Sequence, residues 1–164
     1  MTQESSKYAL KEGLITGGCT FVLCVIIFIF LNKTDMDIPE IAADLVGPVA
    51  VTTMICTAIQ IPLKKKAAEK SEVPDMGELD RQYAFFLTRK NYYFMVFGLA
   101  LRAFWLFACA PVGLMVLVAP DLVIRRFAFI CLKSILVALG AGMGVYTATI
   151  LVVSRTRREK GTAV

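Results

Sequence analysis

Four apolar runs, at 14–31, 45–63, 92–118 and 127–153, follow one another along 164 residues with charge-rich connectors between them. A bilayer core about 30 Å thick takes roughly 20 apolar residues as helix, and the runs, at 18, 19, 27 and 27 residues, are each long enough to cross it. Within lipid, every backbone N–H and C=O must find its partner inside the segment, which leaves helices for runs of this kind. The expected fold is therefore all-α: a polytopic membrane protein with four transmembrane helices. Hydrophobic residues make up 57% of the chain, above the roughly 45–50% usual in soluble domains.

The charges arrange themselves around those spans. Lys7 and Lys11 precede the first. Lys64, Lys65, Lys66, Lys70, Arg81, Arg89 and Lys90 lie between the second and third, and Arg155, Arg157, Arg158 and Lys160 follow the fourth. The other two connectors hold Lys33, Arg125 and Arg126 beside Asp35, Asp37, Glu40, Asp44 and Asp121. Excess Lys and Arg marks the cytoplasmic side, so both termini and the long middle connector are expected there. The net charge of +5 thus belongs to helix flanks, and no nucleic-acid partner is expected.

Each half enters from the same side, crosses, turns and returns to a basic stop. The chain reads as one membrane domain over 1–164, with a first two-helix unit at 7–66, a linker at 67–91 and a second unit at 92–158. A duplication with both halves starting on one side would be parallel. Within the linker, Asp75 and Glu78 have capping-box spacing. Met76, Leu79, Tyr83, Phe86 and Leu87 then recur at helical intervals, predicting a short amphipathic helix over 75–88 on the membrane surface.

The first run exceeds the 7–15 residues or so of a signal-peptide core and is not followed by a small-residue cleavage site, so it is expected to remain as a span. Cys19, Cys24, Cys56, Cys109 and Cys131 all fall in the spans without C-x-x-C spacing, as small packing residues do.

Two charged residues are not flanks. Arg102 falls near the middle of the third run, and Lys133 about two turns into the fourth. A charge at the centre of a membrane helix costs roughly 2.5–3.5 kcal/mol on insertion scales, and no Asp, Glu or His lies in the body of any run to offset it. Thr20, Thr53, Thr57 and Gln60 come close to the depth of Arg102, and the last three share one face of the second helix. The spacing predicts a polar cluster of Arg102 with Thr20, Thr57 and Gln60 inside the bundle. Hydroxyl and amide oxygens can accept its hydrogen bonds without cancelling its charge. The missing anion would be a ligand headgroup, a lipid phosphate or a carboxylate of another subunit. The alternative is that Arg102 bends towards the headgroups.

Lys133 is expected to face protein, with Asp44 at the start of the second span as its candidate partner, or else to reach for the nearer surface. Gly140, Gly144 and Ala148 form a small-residue ridge below it, and Gly13 and Gly17 a second ridge on the first helix. Both are expected to let helices approach closely.

Absences narrow the chemistry. With no histidine, the Ser-His-Asp and Cys-His arrangements, histidine-ligated haem and HExxH zinc sites are excluded, and no phosphate-binding glycine loop occurs. No catalytic residue, metal or cofactor is expected.

Lys11-Glu12-Gly13-Leu14-Ile15 opening a span, and Ile61-Pro62-Leu63-Lys64-Lys65-Lys66-Ala67 closing the next, resemble a family of small bacterial membrane proteins of unknown function built from two tandem two-helix units. The likeness covers about 7–68, and the second half departs from it through Arg102, Lys133 and a longer linker. It implies the topology and a bacterial plasma membrane. The function expected is that of a non-catalytic membrane protein, either self-assembling or an accessory subunit of a larger membrane complex. The competing expectation is a small transporter or binding protein for an anionic amphiphile held by Arg102.

Overall fold

The computed structural model describes residues 3–31, 35–74, 76, 92–119 and 121–161. Four helices are long and apolar enough to cross a membrane, as the four runs predict. The first is α1, Gln3–Leu31, and the second α2, Ile38–Glu69. The third span, Tyr92–Val118, is composite: α3 (Tyr92–Phe104), a π-helical turn (Trp105–Cys109) and α4 (Ala110–Val118). The fourth is α5, Arg126–Gly161. The expected helix at 75–88 lies almost wholly outside the described residues. Met76, which is described, is fully buried with Ala9, Ala68, Val73, Ile150 and Val153.

The helices overrun the apolar runs, because charged residues continue a helix as readily as apolar ones once it leaves the membrane. The start of α2 is the consequential case. Asp37 caps it: Glu40 N donates to Asp37 Oδ1 at 3.0 Å and Asp37 N donates to Glu40 Oε2 at 3.2 Å, a reciprocal capping box ahead of Pro39. The helix therefore begins seven residues before its apolar run, and Asp44 sits more than a turn inside it.

The third span is interrupted where Pro111 cannot donate to the carbonyl of Phe107. The amide of Ala110 reaches back to Trp105 O, five residues away, giving one widened turn. In α2, Pro48 likewise leaves the carbonyl of Asp44 without its helical donor.

α5 is the hub: 72% of its apolar window is buried, against 22%, 28% and 11% for the first, second and third spans. Small residues explain the difference. A Cβ on Gly13 would lie 2.7 Å from the carbonyl oxygen of Gly142, and one on Gly17 would lie 3.1 Å from that of Ala138, so α1 and α5 touch backbone to backbone. On another face of α5, Thr53 and Thr57 of α2 fill the space left by Gly140 and Gly144. A Cβ at Gly144 would meet Thr53 Cγ2 at 2.8 Å and Thr57 Oγ1 at 2.9 Å. Ala148 is buried with Met95, Leu99, Leu151 and Val152, where α3 packs. All five expected packing residues are thus at close helix contacts, and Gly142, absent from the sequence reading, completes the α1 crossing. The two halves interlock: α1 runs along α5, and α2 runs along both α5 and α3.

Polar contacts tie both ends. At one, Met36 and Ile124 pair their backbones, Arg126 N donates to Asp35 Oδ1 at 2.8 Å and an Arg126 guanidinium N–H donates to Ile29 O. At the other, Lys64, one of the basic flanks, is only 8% exposed. Its ammonium pairs with Glu12 at 2.9 Å and donates to Tyr8 Oη at 3.1 Å.

Candidate functional site

A charged cluster inside the span region involves Lys133, not Arg102. At about 1.5 Å per residue, Asp44 lies about 9 Å along α2 from Ile38, and Lys133 about 10 Å along α5 from Arg126, so the two share one depth. Lys133 Nζ and Asp44 Oδ2 are 2.5 Å apart. The ammonium also lies 3.9 Å from the ring centroid of Phe28 on α1 and 5.8 Å from that of Phe129 on α5. Ring faces carry negative charge density and attract a cation, more strongly where water is excluded. Three helices contribute to this one ammonium.

The two partners differ in exposure. The Lys133 side chain is 2% exposed and the Asp44 side chain 34%. The lysine is enclosed by its carboxylate and two rings, while the carboxylate keeps an edge open beside α2. The capping box starts α2 ahead of its apolar run, so Asp44, expected at the start of the second span, lies within the helix there. Of the two readings of Lys133, the protein-facing one with Asp44 as partner is the one observed. Its charge is matched within the chain, which leaves it without the excess positive charge that an anionic ligand would need.

Arg102 is placed differently from the expected cluster. The buried residues of α3 are Met95, Val96, Leu99, Ala100 and Ala103, whereas Arg102 and its neighbour Leu101 are exposed. Arg102 makes no hydrogen bond, ion pair or ring contact among the described residues. Thr53 and Thr57 are fully buried at the glycines of α5; Thr53 Oγ1 donates to Val49 O at 2.8 Å, and Thr57 Oγ1 has no hydrogen-bond partner among the described residues. Thr20 is buried beside Cys56, and Gln60 is half-buried. The cluster fails for a geometric reason. Shared depth puts residues in one layer of the bundle, but the side of α3 that packs inward is set by Met95, Val96, Leu99, Ala100 and Ala103, and Arg102 falls off that stripe.

Sequence reasoning also missed the two aromatic walls. Phe28 and Phe129 carry no signal beyond apolarity, whereas Asp37-x-x-Glu40 has capping-box spacing and marks the start of α2 ahead of its apolar run.

Together these features define a multipass helical membrane protein in which, among the described residues, Lys133 is paired inside the bundle and Arg102 stands unpaired on its outer surface. No protein-family model, curated protein or solved structure matches the chain, so its function is argued from this geometry.

Proposed function

We propose that this chain is a non-catalytic subunit of a membrane assembly and that the outer face of its third span is the docking surface. The observation that carries the reading is Arg102: exposed, unpaired among the described residues and, at about 15 Å along the helix from Tyr92, close to the midplane of a core about 30 Å thick. A charge left there costs several kcal/mol, and a carboxylate from a neighbouring helix removes that cost. The third span is also the least buried of the four, with only 11% of its window covered.

The chain's own acids favour a different subunit over a second copy. Asp44 is engaged by Lys133 near the start of α2. Measured from the end where Met36 and Ile124 meet, it lies at about 9 Å and Arg102 at about 24 Å. Glu12 lies about 28 Å from Leu31, close to the depth of Arg102, and is engaged by Lys64. The acid that a copy in the same orientation would bring near the depth of Arg102, Glu12, is thus already held by Lys64, and the glycine ridges that could join two copies are used within the chain. In the orientation we propose, the end bearing Lys64 and Arg155 faces the cytoplasm, and the basic flanks support it.

The test is cross-linking in the source membrane from a photo-reactive side chain in place of Leu106, which is 46% exposed and about one turn from Arg102. The expected product is a discrete adduct with another membrane protein, mapped next to an Asp or Glu within a span and lost in Arg102→Leu. Adducts to lipid alone, or an adduct indifferent to Arg102→Leu, would overturn the proposal.

A further inference from the structure

On the side where α1 lies against α5, the helices leave an open groove of about 620 Å³, with Phe107 of the π-helical turn in its lining. Its floor and walls are almost wholly apolar, with Gly18 and Phe21 on α1 and Leu139 and Tyr146 on α5 among them. The groove exists because the glycines that bring the backbones together also omit side chains beside the contact. A Cβ on Gly18 would have nothing within 4 Å.

Its length and its ends specify an occupant. From Leu10 to Phe21 on α1, and from Tyr146 to Ile135 on α5, the groove runs about 16 Å. One leaflet of a core about 30 Å thick is about 15 Å deep, so the groove spans the distance from headgroup plane to midplane. Lys7 and Lys11, both exposed, stand at its headgroup end. Lys7, Lys11, Leu14, Gly18 and Phe21 follow at spacings of four, three, four and three, which is a single face of α1. Glu4, a turn before Lys7, is the acid on that stripe, and Glu12 is turned towards Lys64. A cationic rim above an apolar slot one leaflet deep matches an anionic glycerophospholipid, with its phosphate between the lysines and an acyl chain along Gly18.

We infer that the α1–α5 groove is a binding site for an anionic phospholipid, held by Lys7 and Lys11 at the headgroup and by the slot beside Gly18 at the acyl chain. The site lies apart from Arg102 and does not depend on the docking surface proposed above.

The experiment reconstitutes the full chain in vesicles of phosphatidylcholine carrying trace spin-labelled phosphatidylglycerol or phosphatidylcholine, and reads the motionally restricted fraction. The native chain should restrict phosphatidylglycerol in preference. Lys7→Gln and Lys11→Gln should each lower that preference about fivefold, the size expected for one basic residue near a headgroup, without changing restriction of phosphatidylcholine. Gly18→Phe should fill the slot and remove a restricted lipid of either kind. Its thermal transition should stay unchanged, because the new ring meets open space. An unchanged restricted fraction in Gly18→Phe would overturn the site, as would lysine variants that leave the preference intact. So would disulfide capture of two copies through Leu14→Cys, which would put a second chain in the groove.

Discussion

Replacing Asp44 with Leu should destabilise the purified chain by about 4 kcal/mol, more than Lys133→Met, which should cost about 3 kcal/mol. Breaking a buried pair by removing one partner typically costs about 3–5 kcal/mol, because the other charge is left buried without compensation. The order follows from exposure. Lys133, 2% exposed, cannot reach water when Asp44 is gone, whereas Asp44, 34% exposed and only about 9 Å from the start of α2, lies near enough to the membrane surface to draw water from it when Lys133 is gone. The rings of Phe28 and Phe129 soften the first loss without cancelling the charge. The double variant Lys133→Met/Asp44→Leu should recover most of the stability, since well-packed apolar residues often replace a buried pair at no net cost. Equilibrium unfolding in mixed detergent micelles measures all three. Losses that simply add in the double variant, or a larger loss for Lys133→Met than for Asp44→Leu, would contradict this account of the pair.

Arg102→Leu should act in the opposite direction on the isolated chain, stabilising its membrane-inserted form by about 2.5 kcal/mol, the lower end of the insertion cost of a central arginine. Nothing in the bundle should resist the change. The residue is exposed and makes no bond among the described residues, so its removal leaves no buried partner behind. In the source membrane the same variant should lose the assembly, and that combination separates a docking residue from a structural one. Arg102→Lys should keep the charge and lose the planar fork that grips a carboxylate through two bonds, giving an intermediate loss of assembly. Reversible unfolding in bilayers reads the first effect. A destabilised Arg102→Leu chain would mean that the guanidinium supports the fold itself.

The contrast between these two cations shows what the sequence made legible. Span number, the small-residue contacts at Gly13, Gly17, Gly140, Gly144 and Ala148, and the Lys133–Asp44 pairing all follow from local features: hydrophobic length, residue size and a shared depth. Depth is a one-dimensional quantity, and counting along each helix recovers it. Which way Arg102 points is not of that kind, because it depends on the rotation of α3 about its axis. That rotation is decided by how Leu99, Ala100 and Ala103 fit α2 and α5 together. The groove beside Gly18 escaped for a related reason. Gly17 and Gly18 look alike in sequence, but only Gly17 sits against Ala138, while Gly18 faces open space. The π-helical turn had a signal in Pro111, which removes a donor four residues after Phe107, though proline alone does not say whether a helix kinks, widens or stops.

The docking surface on the third span is tested most directly by a density map of the assembly extracted with its own lipid, read at the Arg102 guanidinium. The account predicts a carboxylate from another polypeptide within hydrogen-bonding distance, on a helix lying against Leu101 and Leu106. Acyl chains packed around α3, with the guanidinium bent towards a lipid phosphate, would contradict it.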